Sequence, residues 1–229
     1  PKTRLGNLDG NPFHEAITEI ARKANLRFII NVVVDDDGNV VAVRAGDTEA
    51  AFYELVDIAK QLYMVPVDHD FDVAIAGVGY PKDTNLYQAS RAASYLILAP
   101  TSVVRKGGIV ILPARCEEGA GQGVGEQRFY ERLRDAKDMQ EILVDARTNG
   151  YKPGEQRAFV MALVLEHCDV IVAGSECPDI VAEAKMTPAE SIEDALRICQ
   201  ERLGRNLRVA VVPHALLTLP LVQSPVGAR

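Results

Sequence analysis

The chain has 229 residues, 48% hydrophobic and 25% charged, with a formal net charge of −7 and a pI near 5.2. That composition is globular: it excludes a disordered chain, and the acidic balance argues against a nonspecific nucleic-acid binder. No apolar run reaches the length of a membrane-spanning helix, since the stretch 95–104 is interrupted by Pro100, so neither a membrane nor a nucleic acid is an expected partner.

The chain starts at Pro1-Lys2-Thr3, with no initiator methionine and no secretion signal, and reads as part of a longer cytoplasmic protein. Its four cysteines, Cys116, Cys168, Cys177 and Cys199, lack CxxC spacing, which fits reduced thiols. Near the start, Asn11 is a helix cap and Pro12 a first helical residue. The apolar stretches 26–34 and 40–43 flank Asp35-Asp36-Asp37-Gly38-Asn39 and predict a β-hairpin. A calcium loop would need glycine at its sixth position, where Val40 stands, so the acidic turn reads as solvated. A helix is predicted over 49–62, ended by Pro66.

From residue 71 short strands and helices alternate, the pattern of a Rossmann-like α/β domain: a mostly parallel sheet with helices on both faces, preceded by the helix and hairpin segment. The predicted strands are 73–76, 109–113, 170–173 and 208–212; the predicted helices are 84–98, 125–133, 139–146, 155–166 and 188–203. The last helix is read as capped by Thr187, with Pro188 in its first turn and Glu190 completing a capping box, and as closed by Gly204. The resulting division is 1–70 as a bridging segment, 71–220 as the Rossmann-like domain, and 221–229 as an irregular tail within a proline-bearing end that starts at Pro213.

The stretch 71–93 carries the chemistry. A strand breaks at Gly77-Val78-Gly79, turns through Tyr80-Pro81-Lys82-Asp83 and becomes a helix. A dinucleotide fingerprint would need a third glycine where Lys82 stands, so the GxG is a weak signal. In the helix, Leu86, Ala89, Ala93, Leu96 and Ile97 share one face, and Thr84, Tyr87, Gln88 and Arg91 the other. The plain reading of that polar face is a solvated exterior; the functional one has Gln88 and Arg91 gripping a carboxylate. A second glycine-rich loop, Cys116-Glu117-Glu118-Gly119 and onward to Gly125, leaves the next strand and suits a lid. No histidine lies near Cys116 in sequence, which favours an inert thiol over a nucleophile. His14, His69, His167 and His214 are scattered, so no metal site is expected within the chain.

Taken together, these motifs resemble the C-terminal part of the nickel-pincer lactate racemase family. The resemblance rests on Asp9-Gly10-Asn11-Pro12, Asn31-Val32-Val33, Ala45-Gly46-Asp47, Gly79-Tyr80-Pro81-Lys82-Asp83, Asn85-Leu86-Tyr87-Gln88-Ala89, Lys106-Gly107-Gly108 and Cys116-Glu117-Glu118-Gly119, in that order. It implies the substrate-side domain of a racemase or epimerase acting on a 2-hydroxy acid by hydride abstraction and return. A nickel-pincer nucleotide is then expected in the full-length protein, held by a preceding N-terminal domain that supplies the histidine ligand, the lysine anchor and the proton-exchanging histidines. The chain alone should carry no cofactor and be inactive. The family's glutamine and tyrosine carry over to Gln88 and Tyr87, facing the cleft between the domains; its lysine is replaced by Arg91, which implies an acid larger than lactate. Gly77, Gly79, Tyr80, Cys116, Glu117, Glu118 and Gly119 are the expected cleft loops. Two other readings stand beside this one: a non-catalytic Rossmann-like binding module for a nucleotide or small carboxylic acid, and a domain that mainly mediates homo-oligomer assembly.

Overall fold

The computed structural model describes residues 2–222. Helix α1 (Pro12–Lys23) begins as expected: Asn11 Oδ1 accepts hydrogen bonds from the N–H groups of Phe13 and His14 at 3.0 and 3.4 Å. Strands β1 (Ile29–Val34) and β2 (Val40–Gly46) form the predicted hairpin. Its Asp35 carboxylate is consumed by the turn, accepting from the Asn39 amide at 3.0 Å and from the backbone N–H groups of Asn39 and Asp37 at 2.8 and 3.1 Å. These bonds, the Asn39 side chain first, hold its pKa below the usual carboxylate value.

Helix α2 (Thr48–Tyr63) packs on the hairpin and stops before Pro66, which lies inside a short strand, β3 (Met64–Val67). This strand pairs in parallel with β9 (Leu219–Val222), so part of the end expected to be irregular is a strand; the rest of the predicted tail, 223–229, lies outside the described residues. Residues near the start lie against this ladder. Gly6, at φ +73°, sits where a Cβ would be 2.8 Å from the Leu219 side chain, and Arg4 Nη1 donates to the Ala99 carbonyl at 3.2 Å.

The central sheet contains β4 (Phe71–Ala76), β5 (Val104–Pro113), β6 (Asp169–Ala173), β7 (Thr187–Ala189) and β8 (Val209–Val212), all parallel, in the order β7-β6-β5-β4-β8. The chain steps outward from β4 to β7 and then returns to β8. Because parallel crossovers are right-handed, the outward steps put their helices on one face and the return step puts its helix on the other. Thus α3 (Leu86–Ile97), α4 (Val124–Asp135), α5 (Met139–Asn149), α6 (Glu155–Leu165) and α7 (Pro178–Glu183) cover Ala74, Ala76, Val110, Leu112, Val170 and Val172. Helix α8 (Ile192–Leu203) covers the alternate residues Val73, Ile109, Ile111 and Ile171.

The expected start of α8 is displaced. Thr187, Pro188 and Ala189 form the edge strand β7, where a residue without an N–H is tolerated, and Ser191 is the cap, its Oγ accepting from Asp194 N at 3.2 Å. Gly204 closes the helix at φ +97°.

Asp72 fastens β4 to both neighbours. Its Oδ1 accepts from Arg105 Nε on β5 at 2.6 Å, and its Oδ2 from the Arg208 N–H beside β8 at 2.8 Å. The Arg105 bond first, then the Arg208 N–H, depress the carboxyl pKa. A carboxyl depressed in the fold contributes stability that is present above its unfolded pKa and lost as the pH falls through the folded value. Asp72→Asn is therefore expected to cost about 2 kcal/mol near pH 7. In denaturant titrations the gap between variant and parent should narrow as the pH drops below ~4; a gap independent of pH would refute this role.

No helix among the described residues is long and apolar enough to cross a membrane.

Candidate functional site

The two glycine-bearing stretches leave the carboxyl ends of adjacent strands β4 and β5 and are laced together. Cys116 N donates to Asp83 O at 2.8 Å, Glu118 N to Thr84 O at 2.9 Å, and Leu86 N to Gly119 O at 2.9 Å. Tyr87 N donates to Ala120 O at 3.4 Å, and Gln88 N to Asn85 Oδ1 at 3.0 Å. Asn85 Nδ2 reaches Glu118 Oε2 at 3.3 Å. The second loop, read from its glycines as a lid, is a brace for the first turn of α3. This lacing also uses the N–H groups that a pyrophosphate would need at the helix start, which removes the physical basis for a dinucleotide site there.

The crevice between β4 and β8, where the strand order reverses, is filled by the chain itself. Gly77 N donates to Val212 O at 2.9 Å, and Gly77 O accepts from Ala215 N at 3.0 Å. A Cβ at Gly77 would fall inside the Pro213 carbonyl oxygen, so only glycine fits. Gly79, at φ +72°, has open space around its Cα; its carbonyl accepts from Lys82 N and Asp83 N at 2.9 and 3.2 Å. Tyr80, which begins a cis peptide with Pro81, is 85% exposed.

The sides of this loop pair are chemically quiet. Cys116 is buried, and desolvation pushes its thiol up to about 12, a hydrogen bond with Ser175 offsetting this only in part; such a thiol is no nucleophile at neutral pH. Glu117 pairs with Arg115 at 3.2 Å, and Arg115 with Glu176 at 2.6 Å.

The candidate groups Tyr87, Gln88 and Arg91 gather on one strip of α3. Leu86, Ala89, Ala93, Leu96 and Ile97 are buried as expected, but so are Ser90, Ala92 and Ser94, so the opposite face is narrower than a solvated exterior. Tyr87, Gln88, Arg91 and Tyr95 are half-buried along it. Tyr87 meets the fully buried Phe129 of α4 edge-to-face, with ring centroids 5.5 Å apart. Arg91 Nη1 donates to Gln88 Oε1 at 3.3 Å, which orients the guanidinium, while Arg91 Nε is buried with no hydrogen-bond partner among the described residues. Buried polar atoms are normally satisfied, so this orphan, like the buried Asp83 Oδ1 in the turn before α3, makes the strip a candidate site.

One neighbour was not foreseen in the sequence. Arg157, on the first turns of α6, donates from Nη1 to Ser94 Oγ at 3.0 Å and so lies across the same strip. A single arginine just before an apolar helical run gives no signal of which helix it will face.

The family model described as the lactate racemase C-terminal domain matches residues 67–219, most of the chain. The chain belongs to the lactate racemase C-terminal domain family. Among curated relatives, it is 36% identical over 221 residues to the lactate racemase of Lactiplantibacillus plantarum and 29% identical over 217 residues to that of Thermoanaerobacterium thermosaccharolyticum. Each alignment covers 94% of this chain and 50% of the relative, so the chain spans about half the length of the curated relatives it matches. The solved lactate racemase apoprotein of T. thermosaccharolyticum superimposes with a TM-score of 0.86 at 28% identity, over 96% of this chain and 52% of that one. A Thermotoga maritima protein shares the fold, with a TM-score of 0.62 at 15% identity, over 91% of this chain and 52% of that one. In this lactate racemase family member, the braced loops and the α3 strip both lie inside the matched region.

Proposed function

We propose that this chain is the substrate-side half of a 2-hydroxy acid racemase or epimerase, with residues 71–220 as the working unit and 1–70 as the bridge to a preceding domain. The observation that carries the reading is Arg91 beside Gln88: an oriented guanidinium with an unsatisfied buried Nε, on a lactate racemase family scaffold. Arg91 binds the substrate carboxylate through its planar fork, and the Gln88 amide, besides orienting Arg91, donates to the carboxylate or the 2-hydroxyl. Tyr87, fixed against Phe129, shields the side of the strip toward α4. The exposed Tyr80 projects from the glycine turn toward whatever docks there.

The residues of this chain do not themselves suit the nickel-pincer nucleotide. Among the described residues no three histidine, cysteine, aspartate or glutamate side chains cluster as a metal site. Two of the four histidines have hydrogen-bond partners elsewhere: His167 Nε2 lies 2.8 Å from Val104 O, and His14 Nε2 lies 3.0 Å from Tyr53 OH. The cofactor, with the hydride chemistry it would supply, would be held by the preceding domain. The exposed apolar residues of α1 and the hairpin, Phe13, Ile17, Ile20, Ile30 and Val32, offer that domain a surface to cover. Cytoplasmic residence is supported by the four free cysteines.

The test is stereochemical. The whole protein that carries this chain, incubated with one enantiomer of each of a panel of 2-hydroxy acids, should produce the other enantiomer of at least one, and this chain alone should produce none. Failure of the whole, cofactor-loaded protein on every member of the panel would sink the reading.

A further inference from the structure

Arg157 is half-buried, yet no carboxylate among the described residues pairs with it or with Arg91. The neighbours that act on its guanidinium are Arg91, Tyr87 and Tyr95, and burial followed by the Arg91 charge lowers its pKa. Ser94 ties the two arginines together: its Oγ accepts from Arg157 Nη1 at 3.0 Å and donates to the Arg91 carbonyl at 2.8 Å. The Arg91 head reaches back to Gln88 and the Arg157 head is held at Ser94, six residues further along α3, so the two anchors lie ~9 Å apart along the helix axis. Beyond Arg157 opens a cavity of about 320 Å³ that Ser94, Tyr95, Leu98, Arg4 and Phe13 help to line. Arg4, bonded to the carbonyls of Ala99 and Pro100, likewise has no carboxylate partner among the described residues.

A chain with a net charge of −7 has thus placed two arginines, Arg91 and Arg157, on one strip, with the exposed Arg4 lining the same cavity as Arg157, and no acid among the described residues pairs with them. Holding two guanidinium groups together against their repulsion and partial desolvation is unfavourable unless an anion completes the site. One carboxylate would satisfy Arg91. It would leave Arg157 uncompensated, with its own cavity beside it.

The geometry points to Arg157 as a second anion-binding residue of the substrate site, and to a 2-hydroxy acid with two acidic groups as the substrate class. Arg91 takes the carboxylate next to the reacting carbon, and Arg157 takes the second acidic group at the mouth of the cavity. This rests on the racemase reading for the first carboxylate but is tested separately from it.

The test compares malate, a dianion, with lactate, a monoanion, by titration calorimetry on the whole protein and on its Arg157→Gln and Arg157→Lys variants. The parent should bind malate at least ~10-fold more tightly than lactate; Arg157→Gln should erase most of that preference with lactate affinity within about twofold, and Arg157→Lys should keep part of it. Raising the ionic strength should weaken malate more than lactate. Equal weakening of both acids in Arg157→Gln, with unchanged melting curves, would overturn the proposal, as would a parent without preference. The same samples are assayed for racemisation. Racemisation without dianion preference sinks this inference alone, whereas dianion preference dependent on Arg157 but without racemisation of any acid supports it and sinks the racemase reading.

Discussion

Arg91→Ala should lower kcat/KM of the whole protein for its best 2-hydroxy acid by about 100-fold or more, a loss near 3 kcal/mol of transition-state binding. The size follows from what is left behind. The substrate carboxylate would enter a partly desolvated strip with the neutral Gln88 amide in place of the Arg91 fork and Arg157 further along α3, and Gln88 itself would lose the group it orients. Arg91→Lys keeps the charge but replaces the fork with a point donor, so it should recover part of the loss and shift preference toward smaller acids. Steady-state kinetics on both variants, with circular dichroism to confirm folding, decide the matter. An Arg91→Ala enzyme with unchanged kcat/KM on every substrate would remove Arg91 from the site.

Phe129→Ala is expected to destabilise the fold by about 3–5 kcal/mol, the range for removing a fully buried aromatic ring. Phe129 is the largest completely enclosed side chain of the described residues, on α4 among α3 and the helices that follow it. Its removal opens a void beneath Tyr87, whose ring loses its edge-to-face partner. The denaturant midpoint should fall with little change in slope, and KM should rise in whatever enzyme remains folded, because Tyr87 borders the proposed substrate strip. A loss below ~1 kcal/mol would mean that the neighbouring helices close the gap, and that the Tyr87 support comes from elsewhere.

The features legible in the sequence were those decided locally or by strict alternation. Asn11-Pro12 announced α1 because cap and first-turn proline act within four residues, and the β-branched runs at 73–76 and 109–113 announced central strands because burial on both faces leaves no room for polar residues. Thr187-Pro188 misled for a physical reason. A proline suits a helix start and an edge strand alike, and only the pairing of β7 with β6, a long-range event, selects the second. Strand β9 hid behind Pro220 in the same way, and α7 was too short for periodicity to register. At the candidate site, Gln88 and Arg91 stood out from helical spacing and from the family resemblance. Arg157 did not, because its meeting with Ser94 depends on how α6 crosses α3, which one helix's residue pattern does not specify.

The lacing of the Cys116–Ala120 backbone to the start of α3 has a bearing on how such a protein can diversify. Its hydrogen bonds run mostly between main-chain groups, with the Asn85 and Glu118 side chains contributing. Side chains at 88 and 91 can therefore be exchanged without disturbing the platform that presents them. Selection for a new acid can act on a few outward-pointing groups while the peptide framework beneath stays the same, and relatives with one backbone can come to favour different substrates.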